Sequence, residues 1–498
     1  MADRLQGLGV SGRGRSQGRS RPLRILQVGT SDFGGGAERS AWNLFHAFSD
    51  LGHESWLVVG HKRSSEDHVW EIPNDANRNG WVRWWDGVRR QQDSATGRIR
   101  GLGRLSRQMI AIGEPVRSIE RYLGIEDFNF PGTRHLLGLT PAKPDVIHLH
   151  NLHGNYFDLR VLPQLTRNLP AVLNVHDAWL TTGHCAFSFD CERWTSGCGK
   201  CPDLSIYPGI PRDSTAYNWH RKKEILQASR VYVTTPSQWM MSYVKRSIVA
   251  PAIVGGRVIP NGVDTAVFRP GERTVARAQL GLDQNAHILT IAAAGIRSNV
   301  WKDYKTLKGA IAVLGSGVRD RNVLVLALGE TAAPETINGV RMVFVPMIRD
   351  DEVLAQYYRA CDLYVHAARI ESFGTVLLEA RACGIPVVTT AVGGIPEHVR
   401  ALRWHNRAPM SQTFELSEAD GILTPPGDGQ ALADAIGWLL ANPEQRFWLG
   451  MNGSRRVRDE FSVGRQAERF LAWYDEIIST ARQTPMAGAV ESGAAARQ

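Results

Sequence analysis

No apolar run in the 498 residues comes near the roughly 18 to 20 that a membrane-crossing helix needs, so a chain that does not span a bilayer is expected. A secretory leader is not expected either: the first 24 residues hold Arg4, Arg13, Arg15, Arg19, Arg21 and Arg24 among Gly and Ser, with no apolar stretch. The expected location is the cytoplasm, peripheral to the inner face of the membrane. Cysteine is scarce, six in all, and four of the six crowd into residues 185–201, which excludes a secreted disulfide scaffold. No Asp-x-Asp pair occurs, so a divalent metal bridging a nucleotide to paired carboxylates has no obvious ligands. The glycine loop at residues 34–36, after the first strand, lacks the G-x-G-x-x-G spacing, and the second strand ends in Gly60-His61-Lys62, without the acidic residue a dinucleotide ribose needs. Acidic residues are the minority, 49 against 58 Lys and Arg, and the net charge of +9 favours an acidic partner such as phosphate, anionic lipid or nucleic acid.

What is present is enough apolar material, 43% of the chain, for ordinary globular cores. Apolar strand-like runs at 23–28, 55–59, 146–149 and 171–175 alternate with helical patterns such as 37–51, and a second series follows at 288–293, 323–327, 343–345, 363–365 and 386–389. That alternation reads as α/β: two doubly wound parallel sheets in tandem, with a ligand cleft between facing strand ends. The expected division is a basic tail over 1–22, a first domain over 23–255 and a second over 256–465. A helix over 466–482, able to cross back to the first domain, and an Ala/Gly-rich tail over 483–498 complete the chain. Residues 61–140 read as an insertion in the first domain.

Within that insertion Trp81, Trp84, Trp85 and Val88 recur at helical spacing, and residues 77–108 carry eight Arg against two Asp. Such a helix suits an anionic membrane surface; equally, its Trp face can pack on its own domain.

The densest chemistry lies at Glu371-Ser-Phe-Gly374-Thr375, continuing to Glu379 and then Gly393-Gly394-Ile-Pro-Glu397. The run follows a buried strand and enters a helix, whose first N–H groups are unpaired donors suited to a phosphate. Two glutamates eight residues apart in this setting closely resemble the signature of family 4 retaining glycosyltransferases, with the resemblance extending from residue 22 to about 482. It implies the GT-B fold, two Rossmann-like domains facing across a cleft.

The resemblance assigns roles residue by residue. Gly35 and Gly36 lie in the glycine-rich loop near donor and acceptor; His176 touches the donor sugar. Lys302 and Arg297 are the cations on the donor diphosphate, Arg297 standing one residue off the usual spacing and Asp303 replacing a Gly. Glu371 sits by the transferred sugar, Gly374 and Thr375 at the phosphate, and Glu379 on the ribose hydroxyls. The turn 259–264 resembles the family's interdomain connection. The segment with Cys185, Cys191, Cys198 and Cys201 resembles a subgroup that assembles exopolysaccharide of the colanic-acid type. For these cysteines a structural zinc, reduced thiols and disulfides all stay open.

The function expected is transfer of a sugar from a nucleotide-sugar donor to a polyprenyl-linked or other glycan acceptor, with no cofactor needed for catalysis. Two alternatives compete with it: another GT-B enzyme such as a nucleotide-sugar epimerase or a phosphorylase, and a nucleic-acid binder. The binder leaves the 371–397 motif unexplained, so no nucleic-acid partner is expected.

Overall fold

The computed structural model describes residues 21–84, 113–317, 322–405, 408–410 and 417–483. Most of the basic tail, the C-terminal tail and the stretch holding Trp85, Arg89 and Arg90 lie outside the described residues.

The first sheet has seven parallel strands: β1 (Arg24–Ser31), β2 (Glu54–His61), β3 (Val69–Glu71), β4 (Val146–Leu149), β5 (Ala171–Asn174), β6 (Val231–Thr235) and β7 (Ile253–Val258), ordered 3-2-1-4-5-6-7. The second has nine: β8 (His287–Ala292), β9 (Val323–Leu328), β10 (Glu335–Ile337), β11 (Val340–Val345), β12 (Leu363–His366), β13 (Val387–Thr390), β14 (Ala401–His405), β15 (Ala408–Met410) and β16 (Gly421–Thr424). Its order is 10-11-9-8-12-13-16-14-15, parallel except at the edge strands β10 and β15. The central strands are apolar on both faces; β4, β5, β12 and β13 are buried throughout, as helix-covered parallel strands must be.

The two sheets are the GT-B arrangement of paired Rossmann-like domains. Strand order reverses between β1 and β4 in the first sheet and between β8 and β12 in the second. Ligands of open α/β sheets bind beyond the strand C-termini at such reversals, so the topology alone marks the loops after these four strands. Seven helices matter below: α1 (Gly36–Asp50), α2 (Pro115–Tyr122), α3 (Thr215–Gln227), α4 (Gln238–Lys245), α5 (Asp351–Ala360), α6 (Thr375–Ala382) and α7 (Val463–Gln483).

Strand β7 runs to Val258, so the first domain ends beyond the expected residue 255 and the boundary drawn there cuts a strand. Strand β3 was not foreseen either: it lies inside the expected insertion, and three residues are too few for a period to register. The chain passes between domains twice, at adjacent places. Val263 is hydrogen-bonded to the second crossing through both its backbone groups, its N–H donating to Phe461 O (2.9 Å) and its O accepting from Val463 N–H (3.0 Å). Gly262 is required there, because a Cβ would stand 2.8 Å from the Val463 Cα. After the second crossing α7 returns to the first domain, burying Phe470, Trp473, Tyr474, Ile477 and Ile478 against Leu23, Ile25, Leu44 and Phe48.

Candidate active site

The cleft wall of the first domain is built from the ends of β1, β4 and β5. After β1, Gly34, Gly35 and Gly36 lead into α1; Gly35 is the N-cap and no side chain caps the helix, so its leading N–H groups stay open toward the cleft. His176 lies just past β5 and is buried. Its Nε2 is 3.2 Å from His150 Nδ1, His150 Nε2 is 3.1 Å from Gln27 Oε1, and the His148 ring stacks on His150 at 4.3 Å. Tyr474 of α7 closes the row, 2.7 Å from His148 Nδ1. Burial pushes the His176 imidazole down to about 4 and His148 to about 3, and holds His150 well below the usual histidine range. These rings are neutral at physiological pH. Next to them His153 Nε2 pairs with Asp177 at 2.7 Å; burial would lower this ring, but the Asp177 carboxylate outweighs it and the net shift is upward.

The opposite wall comes from the ends of β8, β12 and β13. Lys302 makes an isolated backbone bridge to Ala368, which draws the loop after β8 against the end of β12. Its Nζ donates to Glu371 Oε2 at 2.6 Å and lies 3.3 Å from His366 Nε2. Burial alone would raise the Glu371 carboxyl, but the Lys302 ammonium and His366 hold it well below the usual carboxylate range. Burial, reinforced by Lys302, takes His366 down to about 4. Gly374 caps α6 in the left-handed region (φ 81°), followed by Thr375 with no side-chain cap on the helix. Gly393 and Gly394 permit the closest approach in the site: a Cβ on Gly393 would stand 1.9 Å from Glu371 O, and one on Gly394 2.1 Å from Ser372 O.

Lys302, Glu371, Gly374 and Thr375 are thus brought together, and His366 joins them although sequence reasoning passed over it. Its place as the last residue of β12 was the available signal. Glu379 is one helical turn further in and buried, with both oxygens engaged: Arg39 Nη1 donates to Oε1 at 2.7 Å and the Tyr358 hydroxyl to Oε2 at 3.0 Å. Arg39 belongs to α1 of the other domain and also holds Asp351 at 2.7 Å. It too was missed, since nothing in a sequence pairs residues 340 apart. Arg297 is not brought to the cluster. Its Nε donates to Glu330 at 2.5 Å and its Nη1 lies 3.6 Å from Glu335, with the guanidinium over the Phe344 ring, so two carboxylates already compensate its charge. The one-residue offset in the sequence has this structural counterpart.

Cys185, Cys191, Cys198 and Cys201 are free thiols lining one small cavity together with His184, whose Nε2 is 3.4 Å from Cys201 Sγ. Burial pushes Cys185 up to about 12 and Cys198 to about 11. Beneath them Lys222 of α3 is fully buried, donating to Glu126, Trp179 O and Thr182 O with its Nζ 3.8 Å from the centre of the Trp179 ring. Among the described residues no group of three or more His, Cys, Asp or Glu is placed to hold a metal ion.

Residues 34–267 match the family model described as Glycosyltransferase Family 4, and residues 291–442 match the one described as Glycosyl transferases group 1. The chain carries both glycosyltransferase domains. The first model begins at the glycine-rich loop; the second spans Lys302, Glu371 and Glu379. A D-inositol 3-phosphate glycosyltransferase of Saccharomonospora viridis is 32% identical over 282 residues, 53% of this chain and 60% of the relative. Across the first of such relatives the chain spans about a third to 60% of their length. In fold the two domains are similar to sucrose-phosphate synthase from Thermosynechococcus elongatus (TM-score 0.56, 18% identity, 92% of this chain and 100% of that one). They are also similar to Anabaena HepE in complex with UDP and glucose (TM-score 0.54, 18% identity, 91% and 99%).

Neutral burial of these histidines predicts lower stability in acid. The unfolded chain binds protons on these rings near pH 6.5, and the folded chain does so only near pH 3 to 4 for His148, His176 and His366. Their contribution is whole above pH 6.5 and is lost progressively as pH falls toward 4. The urea midpoint should therefore be lower at pH 4.5 than at pH 7.5; an equal or higher midpoint at pH 4.5 contradicts neutral burial.

Proposed function

We propose that the protein is a retaining glycosyltransferase: the second domain holds a nucleotide-sugar donor and the first presents the acceptor hydroxyl. The observation that carries this reading is the partly buried Lys302–Glu371–His366 cluster beside the uncapped start of α6, facing the uncapped start of α1 across the cleft. Charge builds on the diphosphate as the sugar leaves; the Lys302 ammonium and the N–H groups at α6 are fixed donors for that charge, in place before the reaction begins. Glu371, kept ionised, faces the carried sugar and favours positive charge on its ring. Closing the cleft keeps water from competing with the acceptor.

The acceptor proposed is a lipid-linked or other surface glycan, on the resemblance of the cysteine segment. A phosphorylated polyol is the second reading, favoured by the names of the curated relatives. A screen of UDP-, GDP-, ADP- and TDP-sugars by thermal shift identifies the donor. Lys302→Ala should then weaken the matching nucleoside diphosphate at least tenfold while leaving the nucleoside nearly unchanged, as loss of a charge-assisted contact of about 1.5 to 3 kcal/mol requires. Unchanged diphosphate affinity in calorimetry removes Lys302 from the donor site.

A structural zinc is proposed for Cys185, Cys191, Cys198 and Cys201, supported by their sharing one cavity with His184. The thiols would have to close inward to bind it, since no three of these groups are now set around one point among the described residues. Elemental analysis of protein purified without added metal should give about one zinc per chain. Four titratable thiols and no metal leave a thiol-lined cavity.

Peripheral membrane attachment is proposed for the surface bearing Trp81 and Trp84. Both rings are more than half exposed and stack at 6.1 Å, and α2 has no buried residue, exposing Val116, Ile119 and Tyr122. No described helix is long and apolar enough to cross a membrane. Sedimentation with phosphatidylserine vesicles should weaken with salt and fall severalfold on Trp81→Ser with Trp84→Ser. Binding that ignores both changes assigns attachment elsewhere.

A further inference from the structure

Glu397 closes the motif that begins at Glu371, yet its side chain bonds none of the groups described above. Its carboxylate crosses to the first domain instead. Oε2 accepts the Gln238 N–H at 2.6 Å and Oε1 the Trp239 N–H at 2.7 Å, so both oxygens cap the first turn of α4. An ionised carboxylate on open helix N–H groups is a strong, directional contact. Beside it Ser237 Oγ accepts the Met240 N–H and donates to Ser372 O at 2.8 Å, the carbonyl next to Glu371. Gly394 N–H donates to Glu371 O at 3.0 Å, and a Cβ on Gly394 would stand 2.7 Å from Ser237 Cβ. One first-domain turn, 237–239, thereby grips both ends of the 371–397 motif.

That turn rests on a firm base. The Tyr243 ring of α4 stacks on Trp194 at 4.1 Å and its hydroxyl bonds Ser188, while Trp239 packs against Phe187. All three partners belong to the cysteine segment.

Resting on the glycosyltransferase reading, we propose that Glu397 is a positioning residue: by capping α4 across the cleft it fixes the loop that carries Glu371, so Glu371 takes its working place only when the domains are closed. Glu397 has no part in binding the nucleotide. Its removal should slow turnover and spare donor affinity.

Two measurements on the full-length protein test this with Glu397→Ala and the conservative Glu397→Gln, which keeps one acceptor oxygen. Hydrogen exchange by mass spectrometry, without any ligand, should show faster exchange in Glu397→Ala at peptides covering 237–240, 371–374 and 393–395, and parent-like exchange in the β1–β5 core. Glu397→Gln should fall between. Kinetics use hydrolysis of UDP-, GDP- and ADP-glucose, with calorimetry on the matching diphosphates. The expected result is a kcat at least tenfold lower in Glu397→Ala, diphosphate Kd within twofold of the parent, and partial recovery in Glu397→Gln. Unchanged exchange at 371–374, or equal losses in kcat and diphosphate affinity, overturns the positioning role. If the parent neither binds nor hydrolyses any UDP-, GDP-, ADP- or TDP-sugar, the nucleotide-sugar reading fails, and the exchange result still decides whether Glu397 fixes the loop.

Discussion

A charge taken out of water must be paired, and in this protein the partner of each cleft carboxylate comes from a distant part of the chain. Glu371 is answered by Lys302 at 2.6 Å, from the loop after another strand of the same sheet. Glu379 is answered by Arg39 at 2.7 Å, from the other domain. Away from the cleft the rule repeats: Arg381 and Asp420, both fully buried, pair at 2.8 Å, and Lys222 pairs with Glu126 at 2.9 Å. Such pairs add little net stability against a well-packed apolar core, but a wrong alignment of the elements would strand a charge. They fix one arrangement of the two sheets against many.

The same requirement explains why the cleft is shaped by closure. Arg39 on Glu379 and Asp351, Glu397 on α4 and Ser237 on the Ser372 carbonyl are all polar bonds between domains. Beside them stand cation–π contacts, Arg369 over Phe189 and Arg349 over Phe33, and apolar contacts of Ile370 and Trp301 with the first-domain core. Polar bonds of this kind exchange readily with water and ligand, whereas separating the domains also withdraws Ile370 and Trp301 from the first-domain core. Because both oxygens of Glu379 are occupied, a ribose hydroxyl reaching this carboxylate must share it with Arg39 or Tyr358.

Helix α7 gives the second constraint. It belongs by sequence to the end of the second domain and by packing to the first, with Tyr474 bonded to the histidine row that ends at His176. The two chain crossings at 258–263 and 461–463 lie side by side and are hydrogen-bonded to each other.

Sequence alone determined the alternation of strands and helices, the two-sheet architecture and the motif around Glu371, because these rest on local periodicity and on residue types held within a few positions. Lys302, Gly374 and Glu379 could be placed on the right loops and helix for the same reason. The strands that escaped notice, β3 and β7 among them, are short or interrupted by Gly255 and Gly256, and carry no clear alternation. Only the tertiary structure decided which carboxylate faces which cation. It separated Arg297 from the cluster by giving it Glu330 and Glu335, added His366 and Arg39, and turned Glu397 from the end of a motif into a clamp on the other domain. Those pairings join residues up to 340 positions apart, and no local pattern encodes them. They exist because two sheets, each folded by its own core, present their strand ends to one another and leave every buried charge to find its partner across the gap.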